Sequence, residues 1–524
     1  MNITPIDWQI LGVLFLALLA LAIWINTRCR SVADYLVSGR KVRLWLGMGA
    51  GIAGEIGLVS IVAMCEQGYM RGFGFVLIGL LSMCVMVPLF GVFGFGIERF
   101  RASKAMSVPQ YIEMRYSRRL RIATGIINSA AGVLQMCIFP IVGASFIRVL
   151  IDAPETAQLA AMTIPSEWII MAVLLACAIL FTYFGGYITL VVVNFVQMII
   201  IMVAIYWLLA YLVSDLGLQH FWTTLEETRG LGAFYPFVEG DDSYSLIWFA
   251  WLITMSILLQ FSYGPYLQKY AAMDKPKTVS RSYLFGSLFA TGRTFVILGI
   301  GVCALAALGP EPLAESGITG QQWKSLATPH YLATVVPPVL MGVLLAGLLF
   351  ADISTTDQYL LSWATSIVND CICPFLKQPL SPEKHIMAVR LTIVLLCVFF
   401  FLVGMVYEPT LPIWEFMWLL ANVIGGTGIA VLLGMYWKRA STTGAYVAVI
   451  VSVALPLSDL TARWIYKEFW PDVPFPLTPQ MTGFSTYVIA TVLMMIVSLV
   501  GQRPTGYWDL GRDVRQLNQG ENLP

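Results

Sequence analysis

Hydrophobic positions in this chain fall into long, nearly uninterrupted blocks separated by short polar or Gly/Pro-rich breaks. Thirteen of them approach the length of about 20 residues that a bilayer core demands of a helix. They lie near 7–27, 44–66, 72–98, 122–150, 166–184, 187–214, 244–268, 283–309, 335–370, 386–407, 410–436, 441–462 and 482–501. An outer-membrane barrel would show weaker segments of about ten residues, and these blocks are too long and too uniformly apolar for that. The pattern predicts an all-α polytopic membrane protein.

Two blocks are interrupted from within. The second reads "LGMGAGIAGEIGLVS", with glycines at 47, 49, 51, 54 and 57, and the seventh reads "LLQFSYGPYLQKY", broken by Gly264 and Pro265. Both residue types weaken the helical ladder, and freed carbonyls at membrane depth are tolerated where they line a cavity or hold an ion. With the first block set aside, these are the first and sixth of the remaining twelve. Broken helices in corresponding positions of two halves mark the binding site of transporters built as inverted repeats. The alternative is that the glycines only permit close helix packing.

Composition agrees with the pattern. Of 524 residues 58% are apolar and 12% charged, and the mean hydropathy of +0.78 is far above that of soluble domains. The net charge of +1 identifies no partner and gives no reason to expect nucleic acid. The placement of Lys and Arg is more informative. With the N-terminus outside, basic residues such as Arg40, Lys41, Arg99, Arg101, Arg118, Arg119, Lys269, Lys275 and Lys277 fall in cytoplasmic loops, whereas few fall outside. The first block starts after Asp7 and ends in "NTRCRS" without a small-residue cleavage site, so it is expected to stay as a helix. The expected layout is one membrane domain over 1–502: an extra N-terminal helix at 7–27, a first repeat at 44–214, a second at 244–436 and two further helices at 441–501. A polar cytoplasmic tail, 503–524, follows. Nine cysteines and three scattered histidines show no metal-ligand spacing, and no acid/base constellation suggests an enzyme.

Several stretches carry a family resemblance. They are "DYLVSGRKV" after the first block, "FTYFGGYITLVVVNFVQ" entering the sixth, "YLQKYAAMDKPKTVSRSYLFGSL" after the seventh, and "GMYWKRASTTGAYVAVI" entering the twelfth. With "GVLLAGLLFADISTTDQYLLSWATSIVND", they resemble the sodium:solute symporters, which include sodium/glucose and sodium/proline cotransporters. The resemblance implies a 5+5 inverted repeat of the leucine-transporter type and alternating access. It places a sodium ion between carbonyls at Ala53 and Ile56 in the broken second block and Ala351, Ser354 and Thr355 in the ninth. Helical geometry agrees, because 351, 354, 355 and 358 share one face. Two hydroxyls and three carbonyls are hard oxygen ligands that suit an alkali cation. The alternative is that these hydroxyls bond back to their own helix.

The chain departs from the family pattern at several positions. Asn194 stands where some members carry the Asp of a second sodium site, with Thr356 as its hydroxyl partner, so one sodium per cycle is expected. Glu55 is an intramembrane acid unlike anything in the sugar carriers, though the proline-type branch has one there. It has three open roles, namely assisting sodium, binding an amino group of the solute, or pairing with Arg293, and Asp352 faces the same three. Asp357 reads as a buried hydrogen-bonding or gating residue. Ser60, Ile78, Gly79, Gln135, Tyr263 and Ala290 occupy the positions that contact sugar, without the acid and lysine of that pattern, so a hexose is not favoured. Tyr263, Gln135, Trp414, Trp418 and Asn422 are candidates for the wall of a solute pocket.

The expected function is sodium-coupled import of a small organic solute across the cell membrane, with sodium as coupling ion and no obligate protein partner. A proton-coupled symporter using Glu55 or Asp352 and a non-transporting sensor are the alternatives. A channel lacks a continuous polar stripe in the sequence.

Overall fold

The computed structural model describes residues 3–26, 38–159, 162–235, 237, 246–311, 320–378, 380–407, 413–470 and 475–501. The tail 503–524 and most of the link after the first helix lie outside them. The first half contains α1 (Pro5–Asn26), α2 (Leu44–Glu55), α3 (Leu58–Arg71), α4 (Gly74–Met86), α5 (Arg118–Met136), α6 (Phe139–Leu150), α7 (Ser166–Thr182) and α8 (Gly186–Leu216). The second half contains α9 (Leu246–Ser262), α10 (Gly264–Ala272), α11 (Pro276–Leu308), α12 (Gly320–Val335), α13 (Leu340–Ser366), α14 (Pro382–Val406) and α15 (Ile413–Tyr436), and α16 (Thr442–Phe469) and α17 (Pro479–Val500) follow.

Among the described residues, ten helical stretches are long and apolar enough to cross a bilayer. Two bent pairs, α2 with α3 at 61° and α9 with α10 at 55°, make up to twelve, and α7 is a shorter apolar helix at the place of the fifth block.

Both readings of the glycine-rich second block hold, at different glycines. Residues 47, 49, 51 and 54 lie inside the regular turns of α2, and the chain leaves the helix only at Ile56, whose φ of −101° and ψ of 64° are not helical. Gly57 then opens α3. The other glycines serve packing: a side chain on Gly49 would strike Phe195 of α8, and one on Gly47 would meet Met273. In the seventh block the helix stops at Tyr263 and restarts at Gly264, with Pro265 in the first turn of α10. There a missing N–H costs nothing.

Burial sorts the helices. Peripheral helices present apolar side chains outward, for example Leu16 and Trp24 on α1, Leu395 and Leu402 on α14, and Ile496 and Val500 on α17. α13 is buried almost throughout, including its polar residues Asp352, Ser354, Thr355, Thr356, Asp357 and Gln358. A helix enclosed by protein can carry polar groups that lipid would reject, because neighbouring helices supply their partners.

The loops hold more structure than their composition suggests. The link between α11 and α13 holds α12, whose buried Trp323 donates its indole N–H to the Tyr69 hydroxyl at 2.8 Å. Residues 156–165 form a two-stranded antiparallel hairpin, Thr156–Leu159 with Met162–Pro165.

α1 is tied to the head of α13. Asp7 is buried, and its Oδ1 accepts the backbone N–H groups of Val339 at 2.7 Å and Gly342 at 2.9 Å. Val339 holds the left-handed φ of 71° at that turn, a costly conformation for a β-branched residue. Asp7→Ala removes a cap from α13 and is expected to destabilise the protein by about 1–2 kcal/mol. Asp7→Asn, which keeps an acceptor oxygen, should lose less; thermal unfolding in detergent measures both.

Candidate functional site

The last carbonyls of a helix have no intrahelical donors, and α2 ends inside the protein. Two of its last carbonyls meet α13. Ser354 Oγ donates to the Ala53 carbonyl at 3.1 Å and lies at 3.1 Å from the Ala351 carbonyl, while Thr355 Oγ1 donates to the Gly54 carbonyl at 3.2 Å. The structure thus brings together Ala53, Ala351, Ser354 and Thr355, as the sequence suggested. The second hydroxyl meets Gly54 and not Ile56, which lies just beyond the bend. Hydroxyl and carbonyl oxygens without a formal charge converge here, and this donor set fits a hard monovalent cation.

Glycines set this approach. A side chain on Gly54 would collide with Gln358 Oε1, and a Cβ on Gly57 would lie 2.9 Å from Thr355 Oγ1. Positions 351, 354, 355 and 358 therefore do line one face of α13, and that face lies against the α2–α3 break.

A second polar group faces α8. Asn194 is fully buried and donates its amide to the Ser354 carbonyl at 3.2 Å. Its Oδ1, both carboxylate oxygens of Asp357 and both polar atoms of the Gln197 side chain have no hydrogen-bond partner, although all are buried. Thr356 is buried on the same turn of α13. Gln197 was legible only as the last residue of the stretch "FTYFGGYITLVVVNFVQ", and Asp357 as a buried hydrogen-bonding or gating residue. That α8 sets Asn194 and Gln197 on the α13 side could not be read from spacing.

Glu55, the last residue of α2, is held by two cations. Lys269 Nζ of α10 lies 3.2 Å from Oε1, and Arg293 of α11 places Nη2 3.6 Å from Oε2 while its Nη1 donates to the Ile52 carbonyl at 2.9 Å. Of the three roles left open for Glu55, the pairing with Arg293 is present, with Lys269 as the nearer partner. The sequence places Lys269 in a loop, and the structure sets it instead in the helix α10. α10 continues past the break and lays Lys269 over Gly51, where a Cβ would come within 2.7 Å of the ammonium. The available signal was position, the second turn after Gly264. Asp352 forms no ion pair among the described residues and does not meet Arg293.

The aromatic candidates divide. Tyr263 at the α9–α10 break packs its ring 5.6 Å from Tyr359 and 5.4 Å from Trp363 of α13. Trp418 belongs to a cluster with Trp248, Trp251 and Trp414, and Asn422 accepts from the Trp251 indole at 3.0 Å and the Tyr487 hydroxyl at 2.7 Å. Asn422 is thus bound into a clasp of α9, α15 and α17. Gln135 donates to the Met417 carbonyl at 3.3 Å, and Ser60 is partly buried on α3.

Cavities flank the bend on both sides. One of about 260 Å³ runs along α2, lined by Glu55, Lys269, Tyr266, Gln260, Ser82 and Ser287 among others; Gly79 and Ala290 of the sequence candidates also reach it. Another of about 400 Å³ meets α3 only at Val62 and is lined chiefly by α6 and α12, with Ile141, Gln322, Glu167 and Tyr407 among its walls.

The sequence profile of the sodium:solute symporter family matches residues 35–452. The sodium/sialic acid symporter SiaT of Proteus mirabilis is 23% identical over 474 residues, which cover 88% of this chain and 90% of that protein. The osmoregulated proline transporter OpuE of Bacillus subtilis is 21% identical, covering 94% of each chain. Among solved structures, the substrate-bound outward-open state of a sodium-coupled sialic acid symporter superposes with a TM-score of 0.76 at 16% identity, covering 96% of this chain and 99% of that one. MhsT in complex with L-phenylalanine gives 0.53 at 14% identity, covering 87% and 98%. The fold is of the leucine-transporter type.

Gly54→Ala is expected to destabilise the protein by about 1–3 kcal/mol, the range for overpacking. The double variant Gly54→Ala, Gln358→Ala should recover part of that melting temperature, because the collision is with the Gln358 amide. A single-variant loss that the double variant does not relieve would place the role of Gly54 in its backbone and not in this contact.

Proposed function

The chain belongs to the sodium:solute symporter family, and on that premise we propose that Ser354 and Thr355 clamp the coupling sodium against the end of α2. Sodium-coupled symport of a small organic solute is the function of this protein; the residues that carry it are the subject of the proposal. The observation that supports the assignment is the pair of hydroxyl contacts from α13 to the Ala53 and Gly54 carbonyls. In this reading Ala53, Ile56 and Ala351 contribute carbonyl oxygens, and Ser354 and Thr355 turn their lone pairs to the ion.

Coupling follows from where these ligands sit. Sodium bridges the broken helix and α13, so it stabilises the arrangement in which the two are closed on each other. A solute that prefers the same arrangement binds more tightly with sodium present, and sodium with the solute. With the N-terminus outside and the C-terminus in the cytoplasm, the cavity lined by α6 and α12 faces outward and the cavity along α2 inward, and alternating access opens one at a time. Residues 1–502 act as one transporter domain, with 44–214 and 244–436 as the repeats and 441–501 as added helices. The membrane potential contributes about 2.3 kcal/mol per charge per 100 mV to import.

A second cation place is proposed at Asn194 and Thr356. Asp357, whose carboxylate oxygens have no partner, supplies the charge that Asn194 lacks. Glu55 is held by Lys269 and Arg293, which removes it from the role of a free titrating acid and favours sodium over proton coupling. Gln135, Tyr263 and Trp418 frame the space around the solute, and Ser60 continues it along α3.

Sodium, and not potassium, should raise the melting temperature of the purified protein as binding to the native state alone requires. The double variant Ser354→Ala, Thr355→Ala should lose that rise, and with it sodium-dependent uptake into proteoliposomes. A sodium response unchanged in the double variant would sink the clamp.

A further inference from the structure

The sodium clamp leaves open which chemical group the solute presents, and the cavity along α2 bears on that question. Its wall carries the Glu55 carboxylate and the Lys269 ammonium, and the buried Arg293 stands behind Glu55. Lys269 lies 3.2 Å and Arg293 3.6 Å from the two oxygens of Glu55. Arg293 is buried, and its Nε has no partner. Lys269 has three N–H donors and lines the cavity beside Glu55, whose side chain keeps 35% of its surface exposed there. The cluster therefore holds one positive charge more than it balances. Asp352 and Asp357 do not balance it, since neither forms an ion pair with Lys269 or Arg293, and Asp357 lies by Asn194 of α8. An unbalanced charge in a low-dielectric interior is costly unless a partner arrives.

We propose that this cavity receives the carboxylate of a small anionic or zwitterionic solute, with Lys269 as the group that binds it. The excess is a single charge, which one carboxylate neutralises and a neutral sugar or polyol does not. At about 260 Å³ the cavity is smaller than the roughly 300–1,000 Å³ of drug-sized ligand sites, so the solute is small. Ser82, Gln260 and Ser287 offer further hydrogen-bonding groups on the wall, and Tyr266 an aromatic face. The inference deepens the symport reading and rests on it. The Ala53 and Ile56 carbonyls that hold sodium lie on either side of Glu55 in the chain, and the ion adds a second positive charge, so sodium and a carboxylate favour each other's binding.

The test is the thermal shift of the purified protein, in sodium, with matched acids and neutral analogues: N-acetylproline and N-acetylprolinamide, N-acetylneuraminate and its methyl ester, benzoate and benzamide. At least one acid is expected to stabilise the protein while its neutral partner does not. Lys269→Gln should weaken that acid by about tenfold or more, the scale of one hydrogen bond to a charged group. Lys269→Arg, which restores the charge, should recover most of the binding and shows that the site is folded. Neutral analogues acting as strongly as the acids, acid binding unchanged in Lys269→Gln, or a panel in which no acid acts would each overturn the proposal. The shift produced by sodium alone is read separately, and its loss in Ser354→Ala, Thr355→Ala bears on the clamp and not on the carboxylate.

Discussion

A transmembrane helix keeps its backbone polar groups satisfied by bonding within itself, and this chain gives up that arrangement in the two bent pairs, at Ile56–Gly57 and at Tyr263. In a bilayer the freed carbonyls need donors or cations from elsewhere in the protein. Here the hydroxyls of Ser354 and Thr355 meet those of Ala53 and Gly54. Much of the rest follows from that need. α13 must run deep in the bundle to reach the break, so it is buried almost throughout, and its polar residues must find partners on neighbouring helices and not in lipid.

Close approach is what the glycines provide. Gly54 and Gly57 leave space for Gln358 and Thr355, and Gly51 leaves space for the Lys269 side chain. The two half-helices α2 and α10 are then joined by the Glu55–Lys269 pair, which links the breaks of the two repeats through charge as well as packing. The backbone adds a parallel bridge between Val42 and Met273 at the far ends of the same half-helices. At the head of α13, Asp7 caps the helix from α1, so the helix carrying the hydroxyls is also fixed by the first helix of the chain.

Buried polar atoms without a partner also lie beside this helix. Asp357 of α13 and Asn194 and Gln197 of α8 leave such atoms unbonded, and so do Thr328 and Ser452 elsewhere among the described residues. Other buried charges are paired: Arg121 bonds Asp370, and Arg115 donates to the carbonyls of Gly434 and Ala440.

Much was legible before any coordinates. The lengths of the apolar blocks dictated membrane-spanning helices, and Gly264–Pro265 marked one break to the residue. The spacing of 351, 354, 355 and 358 put four residues on one face because helical periodicity is local. Other features depend on residues far apart in sequence. Composition alone did not distinguish Gly57, which sits at a bend, from Gly49, which makes room for Phe195. Lys269 reads as a loop lysine until α10 is seen to carry it back to Glu55, and Asn422 reads as a pocket residue until Trp251 and Tyr487 occupy its oxygen. The sequence by itself determined the helices, their breaks and the polar face of α13, since these rest on length, backbone chemistry and period. Only the tertiary structure decided which charges pair and which remain unbalanced, because Coulomb and hydrogen-bond energies depend on distances that the packing of separate helices sets.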